Sequence, residues 1–156
     1  MKSVLKFGGL LLKGKRKSKR PVCSKRPMHL VLKANSNSLR KFKRIIEVII
    51  TGAAKRWGIR IYRIAVAANH IHLVYRVPNR IAYRHFIQWV TGTVALKLKI
   101  KWELRPFTRV IEWGQAFKRA CKYVEMNVLE ALGFIPYQAR ARGCLRKRNV
   151  VAGLGP

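Results

Sequence analysis

Two histidines separated by one hydrophobic residue stand in the stretch Asn69-His70-Ile71-His72-Leu73-Val74-Tyr75. The segment alternates as a strand does. A period of two puts His70, His72, Val74 and Arg76 on one face and Ile71, Leu73, Tyr75 and Val77 on the other. The second set is a wall for a core. The first begins with two imidazoles side by side, which is how a strand offers two nitrogen ligands to one metal ion. A strand end with two solvated or hydrogen-bonded histidines is the commoner meaning of such a pair, so the pair alone leaves both readings open. A second group lies about fifty residues on, in a helical stretch: Tyr123, with Arg119 a turn before it and Asn127 a turn after. At about 100° per residue, Phe117, Cys121, Val124, Val128 and Leu132 form an apolar stripe. Tyr123 falls well off that stripe, on the side of Arg119, Asn127 and Glu130. A core aromatic does not belong there. A tyrosine shielding its surface neighbours does, and so does one with a chemical task.

The composition restricts what that task can be. The chain has 156 residues, room for one compact domain with a real core but not for two and their linkers. It carries 35 Lys and Arg against 5 Asp and Glu, a net charge of +30. Such a field attracts polyanions at long range, and nucleic acid is the leading partner. A membrane is the weaker alternative, since no segment approaches the ~20 apolar residues that a span needs. The carboxylates are Glu47, Glu103, Glu112, Glu125 and Glu130, with no Asp at all. A two-metal nuclease built on clustered carboxylates is therefore hard to assemble. A single ion held by neutral ligands remains open, with a substrate phosphate supplying the negative charge. Cys23, Cys121 and Cys144 are far apart and show no zinc spacing, which suits reduced thiols in a cytoplasmic protein. Leu10-Leu11-Leu12 is too short for the apolar core of a signal peptide.

The elements that must position these groups can be read in order. Residues 1–27 hold ten Lys and Arg and no acid, punctuated by Gly8-Gly9, Gly14, Pro21 and Pro27. They read as a basic flexible arm in which Arg16, Lys17, Lys19 and Arg20 clamp phosphates, or equally as a solubilising tail. A first strand is expected over Met28–Ala34, with Leu30 and Leu32 inward and His29, Val31 and Lys33 on the other side. Asn35-Ser36-Asn37-Ser38 offers caps for a helix over Leu39–Trp57, which Gly58 stops. Ile61–Ala67 and His70–Val77 form a hairpin, and Asn79 caps a second helix from Arg80 to about Lys99. Pro106–Trp113 is a fourth strand, and the tyrosine helix runs from Gln115 to Leu132, ended by Gly133. The order β-α-β-β-α-β is the ferredoxin-like split unit: an α+β antiparallel sheet with two helices on one face and the other left open for a ligand, followed by a C-terminal helix carrying the tyrosine. The domain spans 28–136, and a basic tail over 137–156 has no pattern beyond charge.

From about Arg26 to Pro136 the chain resembles the HUH-type single-tyrosine transposases, the family of small insertion-sequence and REP-associated tyrosine transposases. Four stretches carry the resemblance: Lys-Arg-Pro-Met-His-Leu-Val-Leu-Lys on the first strand, Asn-His-Ile-His-Leu on the hairpin, Arg-Pro-Phe-Thr-Arg-Val-Ile-Glu-Trp-Gly on the fourth strand, and Tyr-Val-Glu-Met-Asn-Val-Leu-Glu-Ala-Leu-Gly-Phe-Ile-Pro on the last helix. A His-hydrophobe-His triplet is weak by itself. Its order before a helix with Tyr-x-x-x-Asn is specific.

The resemblance implies that Tyr123 is the nucleophile that attacks single-stranded DNA, retaining its 5′ phosphate on tyrosine and freeing a 3′ hydroxyl. It implies that His70 and His72 bind a metal, with Asn127 as an amide ligand and magnesium or manganese as the ion. A phenol needs no strong base where a divalent cation polarises the phosphate, and the phosphotyrosine conserves the energy of the cut bond. The partner implied is single-stranded DNA carrying hairpins, held by Lys25, Arg26, Arg105, Arg109 and Arg119 as well as the arm, in a cytoplasmic, nucleoid-associated protein. In some relatives two subunits exchange the tyrosine helix, so a homodimer stays open. Two other classes compete. An RNA-binding module shares the split sheet but needs paired aromatics on its open face, which His29, Val31 and Lys33 do not supply. Relaxases place the tyrosine before the histidine pair, and replication initiators tend to put a Lys where Asn127 stands. An inactivated or host-adopted transposase would keep the same residues.

Overall fold

A computed structural model describes residues 6–12 and 19–136 of the chain. Five antiparallel strands stand in the order β1-β5-β2-β4-β3. They are β1 (Lys6–Phe7), β2 (Met28–Lys33), β3 (Arg60–Val66), β4 (His70–Arg76) and β5 (Phe107–Val110). Helix α1 (Lys43–Arg56) follows a short 3-10 turn over Leu39–Phe42, α2 is Arg80–Leu98 and α3 is Gln115–Leu132. The four strands β5-β2-β4-β3 with α1 and α2 are the split β-α-β unit expected, with α3 following.

The alternation in β2 and β4 builds the main core. Met28, Leu30 and Leu32 pair across the ladder with Tyr75, Leu73 and Ile71, and all six side chains are fully buried. Ile46, Ile49, Ile50 and Ala53 of α1 and Tyr83, Phe86, Val90 and Val94 of α2 close over them. Asn79 caps α2 as expected, its Oδ1 accepting from the Ala82 amide at 2.8 Å. Ser38 makes no side-chain cap, because it already has helical dihedrals and a 3-10 turn precedes α1. No helix among the described residues is long and apolar enough to cross a membrane.

The opposite face is less open than the sequence suggests. Helix α3 lies across β3 and β4, and its Cys121 and Val124 bury a second, smaller core with Ala65, Val74 and Ile111. A register shift between Ile61 and Arg63 makes this possible. An extra residue in β3 lets Tyr62 and Arg63 both face α3, while Ile61 and Ile64 still pack on the main core. Tyr62 then meets Phe117 edge-on at 5.0 Å, and Arg63 pairs with Glu125. Among the described residues, only the β2, β5 and β1 side of this face is free of a helix.

A second difference concerns the stretch before Met28. Lys6–Phe7 adds an edge strand to β5, with Phe7 opposite Thr108 and Lys6 opposite Arg109. Arg20 donates to the carbonyl of Pro106 at 2.7 Å and to Thr108 Oγ1 at 2.8 Å, with its guanidinium 4.3 Å from the Phe7 ring centroid. Residues expected to belong to a flexible arm are thus built into the sheet edge. The physical reason is that β5 would otherwise present unpaired backbone groups and a half-covered apolar margin. Residues 13–18 and the tail over 137–156 lie outside the described residues.

Gly8 is what lets β1 reach this edge. It has φ +87°, and a Cβ there would stand 2.1 Å from the Pro106 carbonyl oxygen. Gly8→Ala is expected to lower stability by about 1–3 kcal/mol, read as a fall in melting temperature of several degrees. Faster hydrogen exchange should be confined to the Thr108 and Arg109 amides and their neighbours. Unchanged exchange at those amides would mean that β1 contributes nothing to the edge.

Candidate active site

Strand β4 is central, between β2 and β3, so both of its edges are hydrogen-bonded. One face belongs to the main core. On the other, His70 and His72 stand side by side with ring centroids 4.6 Å apart and planes nearly perpendicular. His72 is 3% exposed. It lies beneath α3, on the side away from α1 and α2. His70 is half-buried, and its Nδ1 lies 2.7 Å from the Asn69 side-chain oxygen. That oxygen only accepts, so Nδ1 carries the proton and Nε2 carries the lone pair.

The register brings a third imidazole to the pair. His29 lies opposite Val74 in β2, one position along the same face from Val31, which pairs with His72. His29 Nε2 is 3.1 Å from His72 Nδ1, with ring centroids 5.3 Å apart and planes 12° from parallel, so the rings meet edge to edge. Burial, with help from the cationic Arg109 across the β2–β5 ladder, lowers the His29 pKa from 6.5 to about 4. Burial and then Lys33 lower that of His70. Both rings are neutral at pH 7, the state in which imidazole can accept a hydrogen bond or bind a metal.

Helix α3 brings the tyrosine. With Val124 and Cys121 packed on Val74, Tyr123 flanks the helix on the histidine side and is 36% exposed. Its ring meets His72 edge-on at 5.4 Å and His29 at 5.8 Å. Asn127, 7% exposed, donates from Nδ2 to the Tyr123 carbonyl at 2.7 Å.

Two cavities border Tyr123. One, of about 510 Å³, is lined by His70, His72, Tyr123, Asn127, Lys33 and Arg105, with the Gly9–Leu11 turn at its rim. The other, of about 410 Å³, is lined by His29, Arg109, Arg119 and Tyr123. Lys33 pairs with Glu103 at 2.8 Å beside the first cavity. Among the described residues no cluster of three or more His, Cys, Asp or Glu side chains could hold a metal ion. Two imidazoles and an amide oxygen on one cavity wall fit a divalent cation whose remaining positions are filled by water and substrate oxygen; this is a weak donor set for magnesium.

The sequence-derived residues thus separate into groups. His70, His72, Tyr123, Asn127 and Arg105 share the first cavity, and Arg109 and Arg119 share the second. Lys19, Lys25 and Arg26 are exposed, and Arg26 pairs with Glu112 at 3.4 Å. Arg20 is turned inward to Thr108 and Tyr83, not toward the histidine face, and Arg16 and Lys17 lie outside the described residues. His29, Lys33 and Asn69 were missed. The alternation of the first strand already puts His29 and Lys33 on the open face; what it does not show is that they meet the histidine pair and its cavity.

The structure has three layers, α1 with α2, the sheet, and α3, and a helix-borne tyrosine meets a strand-borne histidine pair. The chain matches the family described as Transposase IS200 like over residues 24–130, and it belongs to that family. Among solved structures, a REP-associated tyrosine transposase bound to a REP hairpin is similar in fold, with a TM-score of 0.59 and 16% identity over 77% of this chain and 76% of that one. A candidate transposase from Deinococcus radiodurans R1 aligns at a TM-score of 0.45 and 13% identity, over 72% of this chain and 97% of that one. No curated protein sequence matches the chain.

The lowered His29 pKa has a consequence for stability. In metal-free protein the unfolded chain takes up a proton near pH 6.5 and the folded one only near 4. The unfolded state therefore binds more protons in that window, and stability falls as pH drops from about 6.5 to about 4, by at most about 1.4 kcal/mol per pH unit. NMR titration should show His29 neutral at pH 5, and His29→Gln should remove this part of the pH dependence. A His29 midpoint near 6.5 would contradict its burial.

Proposed function

We propose that this transposase cuts and rejoins single-stranded DNA through a covalent bond to Tyr123, at a site completed by magnesium or manganese on His70, His72 and Asn127. The observation that carries this reading is the meeting of Tyr123 with His72 at the wall of one cavity, within a single chain. The fold likeness to a transposase bound to a REP hairpin supports hairpin-bearing single strands as the substrate class.

The chain's own residues divide the work as follows. The main core and α3 hold β4 from both sides, so the imidazoles do not have to be ordered when substrate arrives. Arg105 and Lys33 on one side of Tyr123, and Arg109 and Arg119 on the other, offer cationic contacts to the backbone on either side of the scissile phosphate. The Tyr123 hydroxyl oxygen attacks phosphorus and its proton passes to solvent. The O–P bond to tyrosine forms as the P–O3′ bond breaks, and the leaving 3′ oxygen takes up a proton. Reversal with a different 3′ hydroxyl joins a new strand, with no change in the number of phosphodiester bonds. The divalent ion, when bound, supplies charge stabilisation of the phosphate oxygens.

Incubation of the full chain with hairpin oligonucleotides and magnesium should give a covalent protein–DNA band on a denaturing gel. Tyr123→Phe, which loses one oxygen and keeps the ring, should fold and bind DNA yet give no adduct. His70→Ala and His72→Ala should each lose most cleavage, with little rescue by tenfold more manganese, and Asn127→Ala should be milder because water can take an amide position. An adduct formed by Tyr123→Phe would remove Tyr123 as the nucleophile. For binding, Arg109→Ala and Arg119→Ala should each reduce the slope of log affinity against log salt by about one. An unchanged slope in both would place the DNA elsewhere.

A further inference from the structure

His29 is the one imidazole at the site for which the transposase reading has no use. It is not a ligand candidate in the first cavity, and it is not a nucleophile. Yet its Nε2 is 3.1 Å from His72 Nδ1, with the two ring planes 12° from parallel. One of the two nitrogens must carry the shared proton. If His29 donates, His72 holds its other proton on Nε2 and cannot offer that nitrogen to a cation. If His29 accepts, His72 is the Nδ1–H tautomer and its lone pair is on Nε2. His70 provides an internal comparison. Its Nδ1 faces the Asn69 oxygen at 2.7 Å, which fixes the same Nδ1–H tautomer by an acceptor that cannot donate.

We propose that His29 is a positioning residue for the metal site: its Nε2 accepts the Nδ1–H of His72 and so holds His72 with the Nε2 lone pair presented to the ion. This rests on the metal reading given above. Metal-ligating histidines usually give their second N–H to a carboxylate, a carbonyl or water, which fixes the ring and raises its basicity. This chain has five carboxylates, and at this position an imidazole takes that place. The ring centroids are 5.3 Å apart with planes 12° from parallel, so the two rings meet edge to edge, the N–H···N bond lies in the plane of both, and turning His72 about its bond to Cβ would break it. Two neutral acceptors, Asn69 and His29, then hold two neutral ligands and add no charge to the site.

The test uses full-length protein with labelled histidine. Only four histidines are present, so their ring nitrogens can be resolved by long-range proton–nitrogen NMR. In metal-free wild type, His72 should show a protonated Nδ1 and an unprotonated Nε2. Manganese binding is then measured calorimetrically, with and without a hairpin oligonucleotide. His29→Leu removes the acceptor and should give mixed His72 tautomers, with manganese affinity about tenfold to a hundredfold weaker. His29→Gln puts an amide oxygen near the Nε2 position and should return affinity to within a few-fold of wild type. A merely structural role would leave the tautomer unchanged and make Gln no better than Leu. The proposal is overturned if wild-type His72 is the Nε2–H tautomer, if His29→Leu binds manganese as wild type does, or if His29→Gln is as weak as His29→Leu. A wild type that binds no manganese even with oligonucleotide overturns the metal reading itself, and the role of His29 with it.

Discussion

Val74 lies fully buried between Arg63 and His29 on its neighbouring strands, and the apolar side of α3 rests on it through Val124 and Cys121. This contact decides where the tyrosine goes. A helix docked on Val74 has Tyr123 and Asn127 one turn apart along its flank, and that flank overhangs His72, two residues before Val74 on the same face. Removing the contact would leave the main core intact, since Met28, Leu30, Leu32 and their partners lie on the other side of the sheet. The site would nevertheless be dismantled, with the histidines on one body and the tyrosine on another. Sheet stability and site assembly are therefore separable in this fold.

The shortage of acids shapes the rest. Glu47, Glu103, Glu112 and Glu125 are each engaged in an ion pair, with Lys43, Lys33, Arg26 and Arg63 respectively. All four pairs are solvent-exposed to a third or more, so each contributes little to stability. Their placement matters more than their strength. Lys33–Glu103 stands beside the cavity with His70, and Arg63–Glu125 ties α3 to β3. No carboxylate is among the residues lining either cavity beside Tyr123. The walls there are neutral or cationic, an environment suited to a polyanion that brings its own charge.

Basic residues in this chain do not all serve one purpose. Arg20 belongs by composition to the densest run of positive charge, yet its guanidinium is half-buried, and desolvation lowers its pKa. It satisfies Thr108 and the Pro106 carbonyl at the edge where β1 is added. Arg109 and Arg119, which come from different elements with no run around them, converge on the second cavity. Local density of charge is a poor guide to which cations meet a ligand, because burial and hydrogen bonding are settled by distant partners.

The periodic parts of the fold are legible in the residues alone. The alternation of β4 assigned Ile71, Leu73 and Tyr75 to the core and His70, His72 and Val74 to the opposite face. The 3.6-residue stripe of α3 singled out Tyr123 and Asn127 as off the apolar side. Asn79, Gly58 and Gly133 marked helix ends, because caps and left-handed turns depend on one residue and its immediate neighbours. The tertiary structure decided what depends on partners distant in the chain. The bulge at Tyr62 breaks the strand period only because α3 must be accommodated. Strand β1 is two residues long, too short for any pattern, and is fixed by an edge about a hundred residues away. His29 was visible as a residue on the correct face, but its contact with His72 is set by the β2–β4 register. Registers are chosen by the whole core, and no single segment contains that information.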